Sequence, residues 1–231
     1  SSILSICFLL TAFTGVGQQV IELKQANSNK IIIKLMFRNG SVSDPVGKEG
    51  LTATTANLIT AGGTANMTSK EIREFIYPMA ASYGSDVDKE VSIFTFSVHK
   101  DFAEKFYPVI RGLMLTPSFT EEDFKRVKSN QQNYVDQVIR SSSDEDYSKM
   151  LLEDQLFRGT RYQHMVLGKT SGVSSITLDD VKIHFKNFFT RKNVTIGIAG
   201  NYTPAFLARL KADVAKLSNF TPTATPKVKA N

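Results

Sequence analysis

The chain has 231 residues, 42% of them hydrophobic and 22% charged, and 28 basic against 22 acidic side chains give a formal net charge of +6. That length can build one large α/β domain or two small ones, with a core that needs neither disulfide nor metal to hold it. The basic residues are scattered, with no block of like charge and no basic–aromatic stripe, so nucleic acid is excluded as the partner, and the single Cys7 leaves neither a disulfide nor a cysteine metal cluster.

The run Ile3 to Val16 is apolar and uncharged. It is too short to span a bilayer comfortably and too long for a strand. Its small-residue end, Gly15-Val16-Gly17-Gln18, reads as the tail of a secretory signal peptide with a truncated start, over residues 1–18. The alternative is a buried strand or helix of the fold. A signal peptide without disulfides in the mature chain predicts export to a bacterial periplasm or cell surface, with no stable membrane insertion after its removal.

Gln19 to Leu23 and Lys30 to Arg38 read as strands, the second alternating Ile31, Ile33, Leu35 and Phe37 with Ile32, Lys34, Met36 and Arg38. Gly50 to Ala61 reads as a helix with Leu51, Ala53, Ala56, Leu58 and Ile59 on its apolar side, stopped by a glycine cap at Gly62-Gly63. Thr68 and Glu71 form a capping box for the next helix, which Pro78 should shorten. Ser82 to Asp88 and Val91 to Val98 are a strand pair. Asp101 to Leu115 is a helix with Phe102, Phe106, Val109, Ile110 and Leu113 inward.

Thr120 caps a longer helix carrying Phe124, Val127, Tyr134 and Val138, interrupted by Ser141 to Ser143, and a further helix runs through Met150, Leu151 and Phe157. Phe157 to Gly168 is a loop. Thr177 caps a helix with Val181, His184, Phe185 and Phe188; Asn193 to Ala199 is a strand; and Pro204 opens the last helix. The stretch 219–231, with Pro222 and Pro226, reads as a linker or tail after one domain over 19–218. The order predicts an α+β fold, a mixed or antiparallel sheet with helices packed on one face.

Several stretches together resemble the N-terminal half-unit of the insulinase/pitrilysin (inverzincin) metallopeptidase family. KLMFRNGSVSDPVGKEGL (Lys34 to Leu51) is similar to the family's strand, glycine turn, polar loop and Gly-Leu helix opening. GGTANMTSKEI, LTPSFTEEDFKRVK, LFRGTRYQHMVLG and ITLDDVKIHFKNFFTRKNVTIGIAGN match later family segments in order and spacing. In active members the Gly-Leu helix carries His-x-x-Glu-His, two zinc ligands one turn apart with a glutamate as general base, and a third, carboxylate ligand follows on a later helix.

Laid on this chain, the resemblance puts the first histidine at Ala53, the glutamate at Ala56 and the second histidine at Asn57. The third ligand falls between Gln131 and Asp136, where Asp136 is the one carboxylate. Alanine offers no lone pair and an amide only a weak oxygen, so no catalytic residue and no metal ligand set remains, and no cofactor is expected although zinc is usual in the family. His99, His164 and His184 have no partner histidine at helical or strand spacing. Each is read as a packed or solvated side chain.

The resemblance implies a half-unit that pairs with a catalytic family member, or with a second half-unit of its own beyond Asn231, around a peptide-binding chamber. It also implies that extended peptides pair with an edge strand beside the motif helix, here Tyr83, Gly84, Ser85, Asp86, Val87 and Asp88. The expected function is a non-catalytic pseudo-peptidase unit. A scaffold subunit with no role in proteolysis and an active metallopeptidase with relocated ligands are the alternatives.

Overall fold

The structure, a computed structural model, describes residues 19–141 and 144–222. The stretch read as a signal peptide, the serines Ser142 and Ser143, and residues 223–231 of the tail lie outside the described residues.

Five strands form one mixed sheet in the order β1-β5-β2-β4-β3. They are β1 (Gln19–Lys24), β2 (Lys30–Phe37), β3 (Ser82–Val87), β4 (Ser92–His99) and β5 (Val194–Gly200). β1 pairs with β5 in parallel and every other pairing is antiparallel. The alternation in β2 is realised as read: Ile31, Ile33, Leu35 and Phe37 are buried, and face Phe94, Phe96 and Val98 of β4 and Ile196 and Ile198 of β5 across the pleat. Phe37, Phe94 and Phe189 meet edge to face with centroids 5.2–5.8 Å apart, the arrangement that ring quadrupoles favour.

The helices are α1 (Leu51–Ala61), α2 (Ser69–Ile76), α3 (Ala103–Leu115), α4 (Glu121–Ser141), α5 (Asp144–Leu156), α6 (Thr170–Ser175), α7 (Leu178–Phe188) and α8 (Pro204–Val214). α1 is covered on both sides, and its polar Thr52, Thr54 and Thr55 are buried together with its apolar residues. Ala56 and Ile59 join the core over the sheet, while Leu51 and Leu58 pack with Phe124 and Val127 of α4 and Leu178 and Val181 of α7. The predicted capping box forms at Thr68–Glu71, the Thr177 cap is completed into a second box by Asp180, and α2 ends at Ile76, before Pro78.

On the sheet's other face, Ile21, Leu23 and Ile32 are exposed, and none of the three joins either core cluster.

Three local expectations are corrected. Gly62 is extended rather than left-handed, and a Cβ there would lie 2.6 Å from the Leu58 carbonyl. Phe102 sits in a 3-10 turn before α3 and is exposed. Tyr134 faces outward, and Val135 is buried in its place. Between Gly168 and Thr177, a stretch that the sequence pattern leaves unassigned, lies α6, whose end is held by the Lys128 ammonium donating to the Ser174 and Ile176 carbonyls, both at 2.7 Å.

Candidate functional site

The candidate site is built on the first turns of α1. Gly50 precedes the helix in the left-handed region, at φ 99°, and offers no side-chain cap. The cap comes from six residues upstream: Asp44 Oδ2 accepts from the Gly50 N–H at 2.7 Å, and Oδ1 accepts from the Thr52 N–H at 2.7 Å and the Thr52 hydroxyl at 2.6 Å. A carboxylate at a helix N-terminus satisfies orphan donors and meets the positive end of the dipole. Asp44 is nonetheless buried, and burial pushes its carboxyl up to about 7 against the pull of these hydrogen bonds.

The Thr52 hydroxyl also lies 3.0 Å from His184 Nε2 on α7. Thr52 has one proton, and it is committed to Asp44 when that carboxyl is ionised; His184 then carries its proton on Nε2 and donates to Thr52. His184 is fully enclosed, stacked on Phe188 at 4.5 Å, and burial holds its imidazole down at about 3, so it stays neutral. A buried chain of three polar side chains thus ties α7 to the start of α1.

Further along α1, Ala53 and Ala56 are 1% and 0% exposed, their methyl groups closed over by packing. Asn57 faces a cleft of about 340 Å³ between α1 and α4, and its Oδ1 accepts from the Ser85 hydroxyl at 3.4 Å. Gln131 is the residue of α4 that reaches the start of α1. It is buried, donates to the Gly50 and Leu167 carbonyls at 3.1 and 2.9 Å, and accepts from the Thr54 hydroxyl at 3.1 Å. Tyr134 also lines the cleft. Asp136 is directed elsewhere, accepting from the Thr170 hydroxyl of α6 at 2.7 Å.

A zinc ion does not fit this donor set. The positions on α1 offer two methyl groups and an amide, the facing amide of Gln131 is spent on two carbonyls and a hydroxyl, and the one carboxylate of the stretch points to α6. Among the described residues, no group of three or more His, Cys, Asp or Glu side chains could hold a metal ion. The three histidines stay apart in role as well. His99 Nδ1 caps the turn before α3 by accepting from the Asp101 N–H, His164 is buried in the loop after α5, and His184 belongs to the chain beneath α1.

β3 lies at the sheet edge beside α1, pairing with β4 alone. Its Ser85 hydroxyl touches Thr60 at 3.1 Å. Tyr83 is turned toward the core, stacked on Phe96. Gly84 and Ser85 are half-buried and Asp86 is exposed, while Val87 ends the strand. Asp88 is past the strand, in the turn where its N–H donates to the Val91 carbonyl. β3 is one residue shorter than the expected Ser82 to Asp88.

Sequence reasoning missed Asp44 and singled out Gln131 only as the start of a range. The pair Asp44-Pro45 reads locally as a turn, and nothing in its spacing shows that it caps a helix six residues on.

Comparisons with known proteins agree with this geometry. The family model described as insulinase (peptidase family M16) matches residues 19–170. The chain is 23% identical over 210 residues to the non-peptidase homolog YmxG of Helicobacter pylori, a match covering 85% of this chain and 48% of that protein. It is 23% identical over 149 residues to the uncharacterized zinc protease YmxG of Bacillus subtilis, covering 63% of this chain and 35% of that one. Among solved structures, it is similar to the peptidase M16 inactive domain from Pseudomonas fluorescens with a TM-score of 0.83 and 17% identity, over 94% of this chain and 52% of that one. It is also similar to a protease from Helicobacter pylori, with a TM-score of 0.76, 17% identity, and coverage of 91% and 51%. The chain therefore spans about half the length, or less, of the relatives it matches. With two thirds of its residues matched by the family model and the same α+β fold, the chain belongs to the insulinase family, peptidase family M16.

Proposed function

We propose that this chain is a non-catalytic insulinase-family unit that binds no zinc, cleaves no peptide by itself, and works against a second insulinase-type unit, as one wall of a peptide-binding chamber. The observation that carries this reading is the motif helix. Its ligand and general-base positions hold Ala53, Ala56 and Asn57, with both alanines sealed in packing. A hydrolytic zinc site needs at least three protein ligands and a position for water, and the donors here supply neither. The name of the Helicobacter pylori relative, a non-peptidase homolog, supports the same reading.

The second unit is supported by length, since the relatives carry about as much chain again as this one, or more. That unit is either a separate catalytic subunit or a further half of the same protein. The edge of β3, with its backbone open on the side away from β4, supports a role in holding extended peptides, because strand addition uses main-chain hydrogen bonds and few particular side chains. Export to a bacterial periplasm or cell surface is part of the proposal and rests on the apolar run before Gln18.

The test is metal content and hydrolysis together. The purified chain is loaded with excess zinc, dialysed and assayed for bound metal and for cleavage of unstructured peptides. Less than about a tenth of an equivalent is expected, since a formed zinc site stays filled far beyond that. Near one equivalent with peptide cleavage overturns the reading in favour of relocated ligands.

A further inference from the structure

The cleft between α1 and α4 retains hydrogen-bonding capacity that the fold does not use. Its walls are Ala61, Val127 and Leu167, and its polar rim is Asn57, Asn130 and Tyr134. Gln131, at its base, has every polar atom engaged. Among the described residues, the side chains of Asn130 and Tyr134 make no hydrogen bond within the protein, and the Asn57 NH₂ is likewise unspent, since its carbonyl oxygen takes the Ser85 hydroxyl. The one charged lining group, Arg126, is neutralised by Asp123 at 2.5 Å and also donates to the Ala61 carbonyl at 2.7 Å. The cleft therefore offers apolar walls, neutral donors and acceptors at the mouth, and no free charge.

It also adjoins β3. Asn57 and Thr60 both line the cleft and both reach the Ser85 hydroxyl, at 3.4 and 3.1 Å. A peptide laid along the free edge of β3 presents alternate side chains toward α1, one residue's reach from this opening.

We propose that the cleft is a side-chain pocket for one uncharged, hydrogen-bonding side chain of glutamine or tyrosine kind, carried by an extended peptide paired with β3. This rests on the peptide-holding part of the proposed function. The apolar walls take the methylene or ring portion, and the amide or hydroxyl end meets Asn57, Asn130 and Tyr134. A carboxylate or ammonium finds no net opposite charge there, because Arg126 is balanced by Asp123.

The test is fluorescence polarisation of the whole chain with labelled ten-residue extended host peptides, identical except for one guest residue: Gln, Tyr, Leu, Ala, Glu or Lys. Gln and Tyr guests should bind about tenfold tighter than Glu or Lys, the value of about one well-placed hydrogen bond. In N130A and Y134F, both at exposed positions, that preference should disappear while the Ala-guest affinity holds, with unchanged melting curves showing that the variants fold. If all guests bind alike, the pocket is wrong and the β3 reading stands. If no guest binds, the pocket and the peptide-holding reading fall together, and the zinc-free reading is judged by its own metal assay.

Discussion

Replacing Asp44 by asparagine tests the balance of forces under α1. Asp44 is 3% exposed and accepts three hydrogen bonds, from the Gly50 N–H, the Thr52 N–H and the Thr52 hydroxyl. Asparagine keeps the shape. Its oxygen can serve the two Thr52 donors, but its NH₂ then faces the Gly50 N–H, and that lost bond between two buried donors costs about 1–3 kcal/mol at any pH. The wild-type carboxyl carries a different, pH-dependent cost. Its folded value of about 7 lies above the ordinary 3.8, so the folded state binds the extra proton and stability falls as pH rises from about 4 through about 7. At 1.36 kcal/mol per pH unit the full loss is about 4 kcal/mol.

D44N has no such slope. Near pH 4.5, where the wild type has lost only about 1 kcal/mol of that sum, it should be less stable than wild type by up to about 2 kcal/mol. At pH 8 the order should reverse, because the variant avoids the larger cost of an ionised buried carboxyl. Urea unfolding at pH 4.5, 6 and 8 reads this directly. A variant that loses more stability at pH 8 than at pH 4.5 refutes the reasoning: it would mean that three donors and the helix N-terminus outweigh burial and hold Asp44 ionised.

His184 slopes the other way. Its folded value of about 3 lies below 6.5, so its contribution is complete above pH 6.5 and is lost as pH falls toward about 3. The two slopes oppose each other between about pH 4 and 6.5, and wild-type stability should be nearly flat there; H184Q should uncover a decline with rising pH. Gly168 has φ 84°, and a Cβ there would lie 2.0 Å from the Glu49 carbonyl oxygen, so G168A should cost roughly 2–4 kcal/mol in the same assay. T177A removes one capping box and should cost about 1 kcal/mol. Ile21 and Leu23 are 59% and 58% exposed, so I21S and L23S should each shift stability by less than about 0.5 kcal/mol, which melting curves will show.

The parts of this fold that were legible in the sequence are those whose cause is local. The alternation of β2 and β4, the box at Thr68–Glu71, the cap at Thr177 and the stop before Pro78 each depend on residues within one or two turns of each other. α6 was missed because TSGVSS has poor helix propensity, and its ends are held from α4 by Lys128 and by Asp136. Phe102 was misplaced because a 3-10 turn shifts the phase on which a helical pattern is counted. At the site, it is the family resemblance at the Gly-Leu opening that assigns the motif positions to Ala53, Ala56 and Asn57. Gln131 and Asp44 could not, because their partners lie 81 and 6 residues away, and only the folded chain brings them together.

Those two residues also explain how α1 stays anchored with alanine at 53 and 56 and an amide at 57. In a metal site, an ion bridging two helices would fix the distance between α1 and α4. Here Gln131 spans the same gap with bonds to the Gly50 and Leu167 carbonyls and from Thr54, and Asp44 and His184 fix the start of α1 from the opposite side. Alanine at 53 and 56 adds no polar group that would need a partner in the dry interior. The helix is thus held by neutral or internally balanced hydrogen bonds within the protein, which leave the Asn57 NH₂ and the Asn130 amide unspent. A chain stabilised in this way should unfold identically with and without a chelator, whereas a fold that depended on zinc would lose metal and structure together.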